Sequence, residues 1–328
     1  MNDFSLPCNV LVRDISQLSY QEWLEIRRSG IGGSDAAASL GLSSWKSPIE
    51  LWEEKVLGKT QPKQDSEPMR WGRLLEPVIR DEFAKRTGYE VSVCRSMLQA
   101  PQWPWMQANL DGLIEIPGRG IGVFEVKTAS TFKDSDWGGN DDSQPRCPDA
   151  YALQVAHYLA VTGLEYAVIC VLIGGNKLRW LTVERDVEFI NSLVELERRF
   201  WQYVLTQTPP PVDGSLACAE MLARKYPTSN NASPLILPAD ADDWIRQFWQ
   251  AKAEEDAAGD RKLLMENRLK EVMGAHEKAV SPSGHQVTWK TIQSCRVDTA
   301  KLKKEEPTLF EKFSTTSATR RFSVSEGK

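Results

Sequence analysis

The stretch MQANLDGLIEIPGRGIGVFEVKTAS, residues 106–130, decides how this chain folds. Pro117-Gly118-Arg119-Gly120 is a turn signal between two apolar, β-branched runs, so the segment reads as a β-hairpin. If those four residues form the loop, antiparallel pairing sets Asp111 opposite Val126. A loop one residue different sets it opposite Glu125. In either register Asp111 meets Glu125 and Lys127 near the middle of the hairpin. Glu125 and Lys127 are two residues apart and point to the same face of their strand.

Two carboxylates and an ammonium on neighbouring strands need a physical reason. Close carboxylates repel, and burial in a sheet makes the repulsion worse. A divalent cation removes it, and hard oxygen ligands suit Mg²⁺ or Mn²⁺. The Lys127 ammonium can then position a water, or help to deprotonate it, for attack on phosphorus. The competing reading is a surface hairpin with a cross-strand salt bridge worth less than about 1 kcal/mol. Spacing alone does not separate the two, but Leu110, Val123, Phe124 and Val126 favour a buried strand.

Outward from the hairpin, helical and strand patterns alternate. Gln21–Arg28, Ser34–Leu40, Ser47–Leu57, Met69–Thr87, Ala150–Thr162 and Val187–Leu205 read as helices. Tyr89–Val93, Trp105–Ile116, Ile121–Thr128, Tyr166–Ile173 and Leu178–Val183 read as strands. This mixture predicts an α/β domain with a mixed sheet flanked by helices. Gly58–Pro68, Lys133–Pro148 and Thr206–Gly214 read as loops, and a Pro-rich break at Tyr226–Pro238 marks a domain boundary. The expected organisation is a core over residues 1–230 and an extension over 231–328 that packs on it. The extension holds one long helix, Ala239–Lys278, and a short β segment at His285–Ser294. From residue 285 onward nine Lys and Arg stand against five Asp and Glu, so this tail is basic and suited to an anionic partner.

Composition removes several function classes. The 328 residues carry 40 Lys and Arg against 45 Asp and Glu, a net charge of −5, which excludes a uniformly basic nucleic-acid binder. The most apolar run, Tyr166–Ile173, is strand-sized and far short of the ~20 residues of a membrane-spanning helix. The first ten residues lack a signal-peptide pattern, which predicts a cytoplasmic location. Six scattered cysteines without a CxxC pair, and only three histidines, give no zinc pattern and suit a reducing compartment.

Four ordered motifs carry a more specific message: WGRLLEP at 71–77, QANLDG at 107–112, FEVKT at 124–128 and QVAHY at 154–158. LDG followed by EVK in the next strand resembles the PD-(D/E)xK, restriction-endonuclease-like nuclease core, with Leu110 where that core usually has Pro. The order and spacing of all four resemble YqaJ-type viral recombinases. These are relatives of lambda exonuclease, phage enzymes that resect double-stranded DNA from 5′ ends. The resemblance runs from about Ser29 to Tyr203.

That resemblance implies a Mg²⁺- or Mn²⁺-dependent 5′→3′ exonuclease with two ions per active site. Asp111, Glu125 and the Val126 carbonyl would hold metal, and Glu76 would assist, partly through water. Lys127 would activate the water, with Gln154 and Tyr158 orienting the site. It further implies a ring-shaped homotrimer around DNA, a single-strand annealing protein as partner, and a phage or prophage origin in a bacterial host.

The residues themselves add detail. Pro77 breaks helix interiors, so Glu76 is expected at a kink or a helix start. Gln154 and Tyr158, four apart, share one helix face, with His157 beside them. Arg27-Arg28-Ser29-Gly30-Ile31-Gly32-Gly33-Ser34-Asp35 offers guanidinium groups, turning glycines, and Ser34 as a helix N-cap, a setting that attracts anions. In lambda-type enzymes this region binds the terminal 5′-phosphate; Arg27 and Ser34 match by position, with Arg28 beside them. A pocket serine two residues before the catalytic Asp is replaced here by Asn109, which weakens the expected preference for a 5′-phosphate. A nucleotide-cofactor reading is weak, since neither a G-x-x-x-x-G-K-[ST] loop nor a strand-borne G-x-G-x-x-G is present. Three rivals remain: an endonuclease or nickase of the same superfamily, a DNA-end-binding protein with a degenerate site, and a metabolic α/β protein with an acidic hairpin.

Overall fold

The computed structural model describes residues 6–58, 66–139, 146–230 and 233–325. Parts of the loops expected at 58–68, 133–148 and 226–238 lie outside the described residues. The chain separates into two compact units, Met1–Lys225 and Tyr226–Lys328.

In chain order the first unit runs β1 (Asn9–Val12), α1 (Tyr20–Arg28), β2 (Ile31–Gly32), α2 (Gly33–Ser39), α3 (Pro48–Trp52) and α4 (Glu67–Thr87). It continues through β3 (Glu90–Val93), β4 (Met97–Gln99), β5 (Met106–Asn109), β6 (Gly112–Ile116) and β7 (Gly120–Ala129). It closes with α5 (Asp149–Thr162), β8 (Tyr166–Ile173), β9 (Lys177–Glu184), α6 (Val187–Leu205) and α7 (Leu216–Lys225). The expected mixed sheet is present, in the order β3-β6-β7-β8-β9, with β7 and β8 parallel and the other pairs antiparallel. A second sheet, β1-β4-β5-β2, was not anticipated.

β8, YAVICVLI, is apolar throughout because helices cover both faces of its sheet. On one face α4 places Ile79 and Phe83 against Phe124, Val126, Val168 and Cys170. On the other, α5 places Val155 and Leu159 in one core with Val123, Ile169 and Val171. The pleat therefore turns Phe124 and Val126 toward α4, and Glu125 and Lys127 toward α5. α5 is buried on nearly all sides because the same core also takes Leu98, Met106 and Ala108 of the second sheet.

Several sequence expectations need correction. Trp105–Ile116 is not one strand. Met106–Asn109 pairs with β4 and Gly112–Ile116 pairs with β3 and β7, and the chain changes sheets at Leu110–Asp111. The hairpin loop has three residues, with Ile116 opposite Gly120 and Gly112 opposite Phe124, which sets Asp111 level with Glu125 rather than Val126. Gly120, at φ +77°, resumes the strand from a left-handed conformation open to glycine. Glu76 lies deep within α4, not at a helix start; Pro77 is carried inside the helix. Ser34 is not the N-cap of α2. Gly32 is, and the Asp35 carboxylate accepts its N–H at 3.3 Å.

In the second unit α8 spans Ala241–Met273, shorter than the expected 239–278, because Gly274 caps it through an N–H to Lys270 O at 3.0 Å. Lys278 belongs instead to a strand, β10 (Lys278–Val280), paired with β11 (Gln286–Thr288). The strand expected over His285–Ser294 shrinks to those three β11 residues.

Candidate active site

The switch of the chain between sheets places Asp111 in a bend beside β7. Val126 N–H donates to Asp111 Oδ2 at 2.8 Å. The N–H and C=O of a strand residue point to the same side, so the Val126 carbonyl also faces Asp111. Glu125 is only 2% exposed. Its Oε1 accepts from Lys127 Nζ and, at 2.7 Å, from Gln154 Nε2. Its Oε2 is buried with no hydrogen-bond partner among the described residues. Gln154 Nε2 also donates to Tyr158 Oη at 3.0 Å, as the four-residue spacing on one helix face allows. The Lys127 ammonium stands 5.0 Å from the centre of the Tyr151 ring.

Burial dominates the electrostatics. It raises the Glu125 carboxyl to a pKa of about 8, helped by Asp111 and opposed by Lys127. It also raises Asp111, against the pull of Lys127 and the Val126 N–H. Glu76, half-buried on α4, is raised by burial and by the Asp111 charge, which marks it as part of the same electrostatic cluster. Burial works against the charge on Lys127, but Glu125 and Asp111 outweigh it and hold the proton on the amine. Two carboxylates thus meet in a dry site with one cation between them.

A second cluster stands at the start of α2. Arg27 Nη2 donates to Ser34 Oγ at 2.5 Å and to Asp35 Oδ1 at 3.0 Å, while its guanidinium lies 5.1 Å from the Trp23 ring centre. With its carboxamide turned so that the oxygen faces Trp23, the orientation that satisfies both its polar atoms, Asn109 accepts from Trp23 Nε1 at 3.2 Å and joins this group through Trp23. The Arg28 guanidinium lies against Gly58. Asp35 is buried beneath, paired with Lys55 Nζ at 2.9 Å and with Lys46 at 3.9 Å. Burial opposes its charge, yet Arg27, Lys55 and Lys46 hold its pKa well below the usual carboxylate range.

Tyr158 joins the two clusters. Its ring packs so tightly on Gly33 that a Cβ there would fall 2.4 Å from Tyr158 Cε1. Asp111, Glu125, Lys127, Gln154, Tyr158 and Gly33 therefore form one continuous wall that leads to Arg27 and Ser34. His157 faces the other way. Its ring nitrogens lie 2.9 Å from Glu197 and from Gln107 O, so it ties α5 to α6 and β5.

Sequence reasoning missed Trp23, Asp35, Lys46, Lys55, Tyr151 and the packing role of Gly33. Asp35 was the one legible member of this set, as the acidic residue three places after a helix-capping Gly.

The residues present fit a divalent cation. Glu125 Oε2 is a buried oxygen with no hydrogen-bond partner among the described residues, Asp111 acts on it electrostatically, and the Val126 carbonyl lies on the side of its strand that faces Asp111. Among the described residues no three His, Cys, Asp or Glu side chains are gathered closely enough to hold a metal by themselves. Glu76 therefore stands off the carboxylate pair, and the remaining ligands must be backbone and water.

Residues 22–165 match the YqaJ-like viral recombinase domain. The chain is 36% identical over 317 residues to the Bacillus subtilis (strain 168) protein YqaJ, itself uncharacterized, covering 95% of this chain and 96% of that protein. Among solved structures, the chain is similar to an alkaline exonuclease from Laribacter hongkongensis at 20% identity and a TM-score of 0.48, over 62% of this chain and 97% of that one. A phage-related exonuclease from Haemophilus somnus aligns at 10% identity and a TM-score of 0.39, over 56% and 99% respectively. With a relative this similar along almost its whole length, the chain belongs to the family of YqaJ-like viral recombinases.

Proposed function

We propose that this protein is a Mg²⁺- or Mn²⁺-dependent exonuclease that degrades one strand of linear double-stranded DNA from its 5′ end and leaves 3′ single-stranded overhangs for recombination. The observation that carries the reading is the buried Oε2 of Glu125, without a hydrogen-bond partner among the described residues, beside Asp111 and with Lys127 on the same strand face. Asp111, Glu125 and the Val126 carbonyl would hold the metal, with Glu76 assisting through water, and two ions per site are part of the proposal. The bound cation would supply charge neutralisation at the carboxylates and at the scissile phosphate.

The chain's own groups account for the rest. Gln154 fixes the Glu125 carboxylate through Oε1, and Tyr158 in turn fixes Gln154. Lys127 keeps its proton only because Glu125 and Asp111 attract it. Were those charges offset, burial would favour the neutral amine; having given its proton to solvent, Lys127 could then orient a water and accept a proton from it. Arg27 and Ser34, with Asn109 behind Trp23, would receive the terminal 5′-phosphate at the far end of the wall. Arg28, packed on Gly58, is assigned a contact with the DNA backbone rather than with the end itself. A homotrimeric ring around DNA, an annealing-protein partner and action in the cytoplasm of a phage-bearing bacterium complete the proposal. Among the described residues no helix is long and apolar enough to cross a membrane.

The test is Lys127→Ala assayed on linear duplex with Mg²⁺, beside wild type on closed circular DNA. Loss of digestion by the variant, with the circle untouched by wild type, is the expected result. Unchanged digestion by the variant overturns the mechanism, and cutting of the circle turns the assignment to an endonuclease.

A further inference from the structure

α8 is a 33-residue helix, about 50 Å long at 1.5 Å per residue. Every residue from Gln250 to Met265 is exposed. A helix gains most of its stability by burying an apolar stripe, and α8 presents such a stripe uncovered. Trp244, Phe248, Ala251, Glu255, Ala258, Lys262, Met265, Leu269 and Val272 recur at alternating intervals of four and three, the spacing of a coiled-coil seam. Val272 is 88% exposed, and Phe248, touched edge-on by Phe322, is still 41% exposed.

Two seam positions are charged, and they say what covers the stripe. Glu255 and Lys262 are one heptad apart and lie symmetrically about the Ala258–Gly259 junction, where small residues let two backbones approach. When two such helices run antiparallel about that point, Glu255 of each faces Lys262 of the other. When they run parallel, Glu255 meets Glu255. The flanks agree with the antiparallel case. Residues 241–256 carry five acidic and two basic side chains, and 257–273 carry four basic and three acidic. The aromatic end, with Trp244 and Phe248, then lies over the aliphatic end, with Met265, Leu269 and Val272. The occupant that matches both the charge order and the apolar order in reverse is a second copy of the same helix.

We propose that α8 is a self-association element that pairs antiparallel with α8 of a second chain, with the Glu255–Lys262 contacts setting register and direction. Whatever number of chains the nuclease units gather, this pairing joins them two by two. It does not depend on the nuclease reading.

The experiment measures the mass of the full-length protein in solution by light scattering at micromolar concentration. Wild type is expected to hold an even number of chains, six if the nuclease units form the proposed ring of three. Glu255→Lys alone, or Lys262→Glu alone, places like charges opposite each other twice in the pair, and each variant is expected to show half the wild-type mass. Mixing the two variants one to one makes both contacts attractive again and is expected to restore the full mass. Both substitutions lie on an exposed helix surface, and unchanged far-ultraviolet circular dichroism verifies the fold. Unaltered mass in the single variants overturns the proposal. So does failure of the mixture to recover, because a role for α8 within one chain or toward a foreign protein is not rescued by mixing.

Discussion

Glu125→Gln separates the electrostatic account of the site from a purely structural one. In the folded protein the Glu125 carboxyl titrates near pH 8 because burial, and then Asp111, oppose its charge. In the unfolded chain it titrates near its ordinary value of about 4.5. Above the unfolded pKa the unfolded state is ionised without penalty, while the folded state holds its proton until pH 8. Stability therefore falls as pH rises through that window, by about 1.36 kcal/mol per pH unit. Over the whole window the ceiling is ~4–5 kcal/mol. Gln is nearly isosteric, can still accept from Gln154 through its carboxamide oxygen, and carries no charge to desolvate. With EDTA present, the variant should match wild type near pH 5 and melt higher by on the order of 10 °C near pH 9, taking ~2–4 °C per kcal/mol for a unit of this size. Adding Mn²⁺ should raise the wild-type melting temperature at pH 8 and leave the variant where it is. Calorimetry from pH 5 to 9, with and without metal, reads all of this. Parallel curves for the two proteins across that range would refute the argument that Glu125 is held in a dry, like-charged site awaiting a cation.

Other substitutions test the neighbouring elements. Asp35→Asn leaves Lys55 and Arg27 around a neutral group, and removing one partner of a buried ion pair costs about 3–5 kcal/mol, so thermal unfolding should drop sharply. If Arg27 holds the DNA end, any surviving activity of that variant should no longer distinguish 5′-phosphate from 5′-hydroxyl ends. Gly33→Ala drives a methyl into the Tyr158 ring, so it should destabilise by ~1–3 kcal/mol in denaturant melts and lower turnover by displacing Gln154. His157 has Glu197 at one ring nitrogen and Gln107 O at the other, an arrangement that favours the imidazolium; burial opposes its charge, but Glu197 outweighs burial and raises its pKa. Its stabilising share is complete below the ordinary histidine pKa and is lost as pH rises through the raised folded value. Glu197→Gln should remove that alkaline loss while lowering stability at pH 6, a difference that melts at pH 6 and pH 9 would reveal.

The hairpin was legible because alternation and turn chemistry are local. Leu110 to Val126 fixed which residues could meet, and left one residue of register open that Gly120 decides by its left-handed conformation. The switch of sheets at Leu110–Asp111 was not legible, since the same period-two pattern runs through both β5 and β6. The environment of Glu76 was misread for a related reason. Pro77 disfavours a helix interior locally, but Ile79 and Phe83 bury enough surface against β7 and β8 to carry the helix through it. The buried pairing of Asp35 with Lys55 joins residues twenty apart, and only the fold brings them together. α8 ends at Met273 because Gly274 terminates it, while the helical pattern in the sequence runs on to Lys278.

Under the proposed function a chain of net charge −5 acts on a polyanion, which the sorting of its charges in space allows. Three acidic groups, Glu76, Asp111 and Glu125, belong to one cluster whose repulsion a divalent cation would offset. At the other end of the wall Arg27, Lys46 and Lys55 gather round the buried carboxylate of Asp35, and Lys46 pairs more closely with Glu54, leaving one positive charge in excess where Arg27 and Ser34 lie partly open. Asp35 makes that excess tolerable by pairing both Arg27 and Lys55, while Glu54 holds Lys46; without Asp35 the Arg27 and Lys55 charges would repel one another. Tyr158 then keeps the basic end at a fixed offset from the acidic one, held by Gln154 on one side and packed on Gly33 on the other. Under the proposed function, a phosphate bound at Arg27 would thereby be set apart from the phosphodiester at Lys127 by protein rather than by chance encounter. Net charge reports the sum of these two environments and neither of their signs.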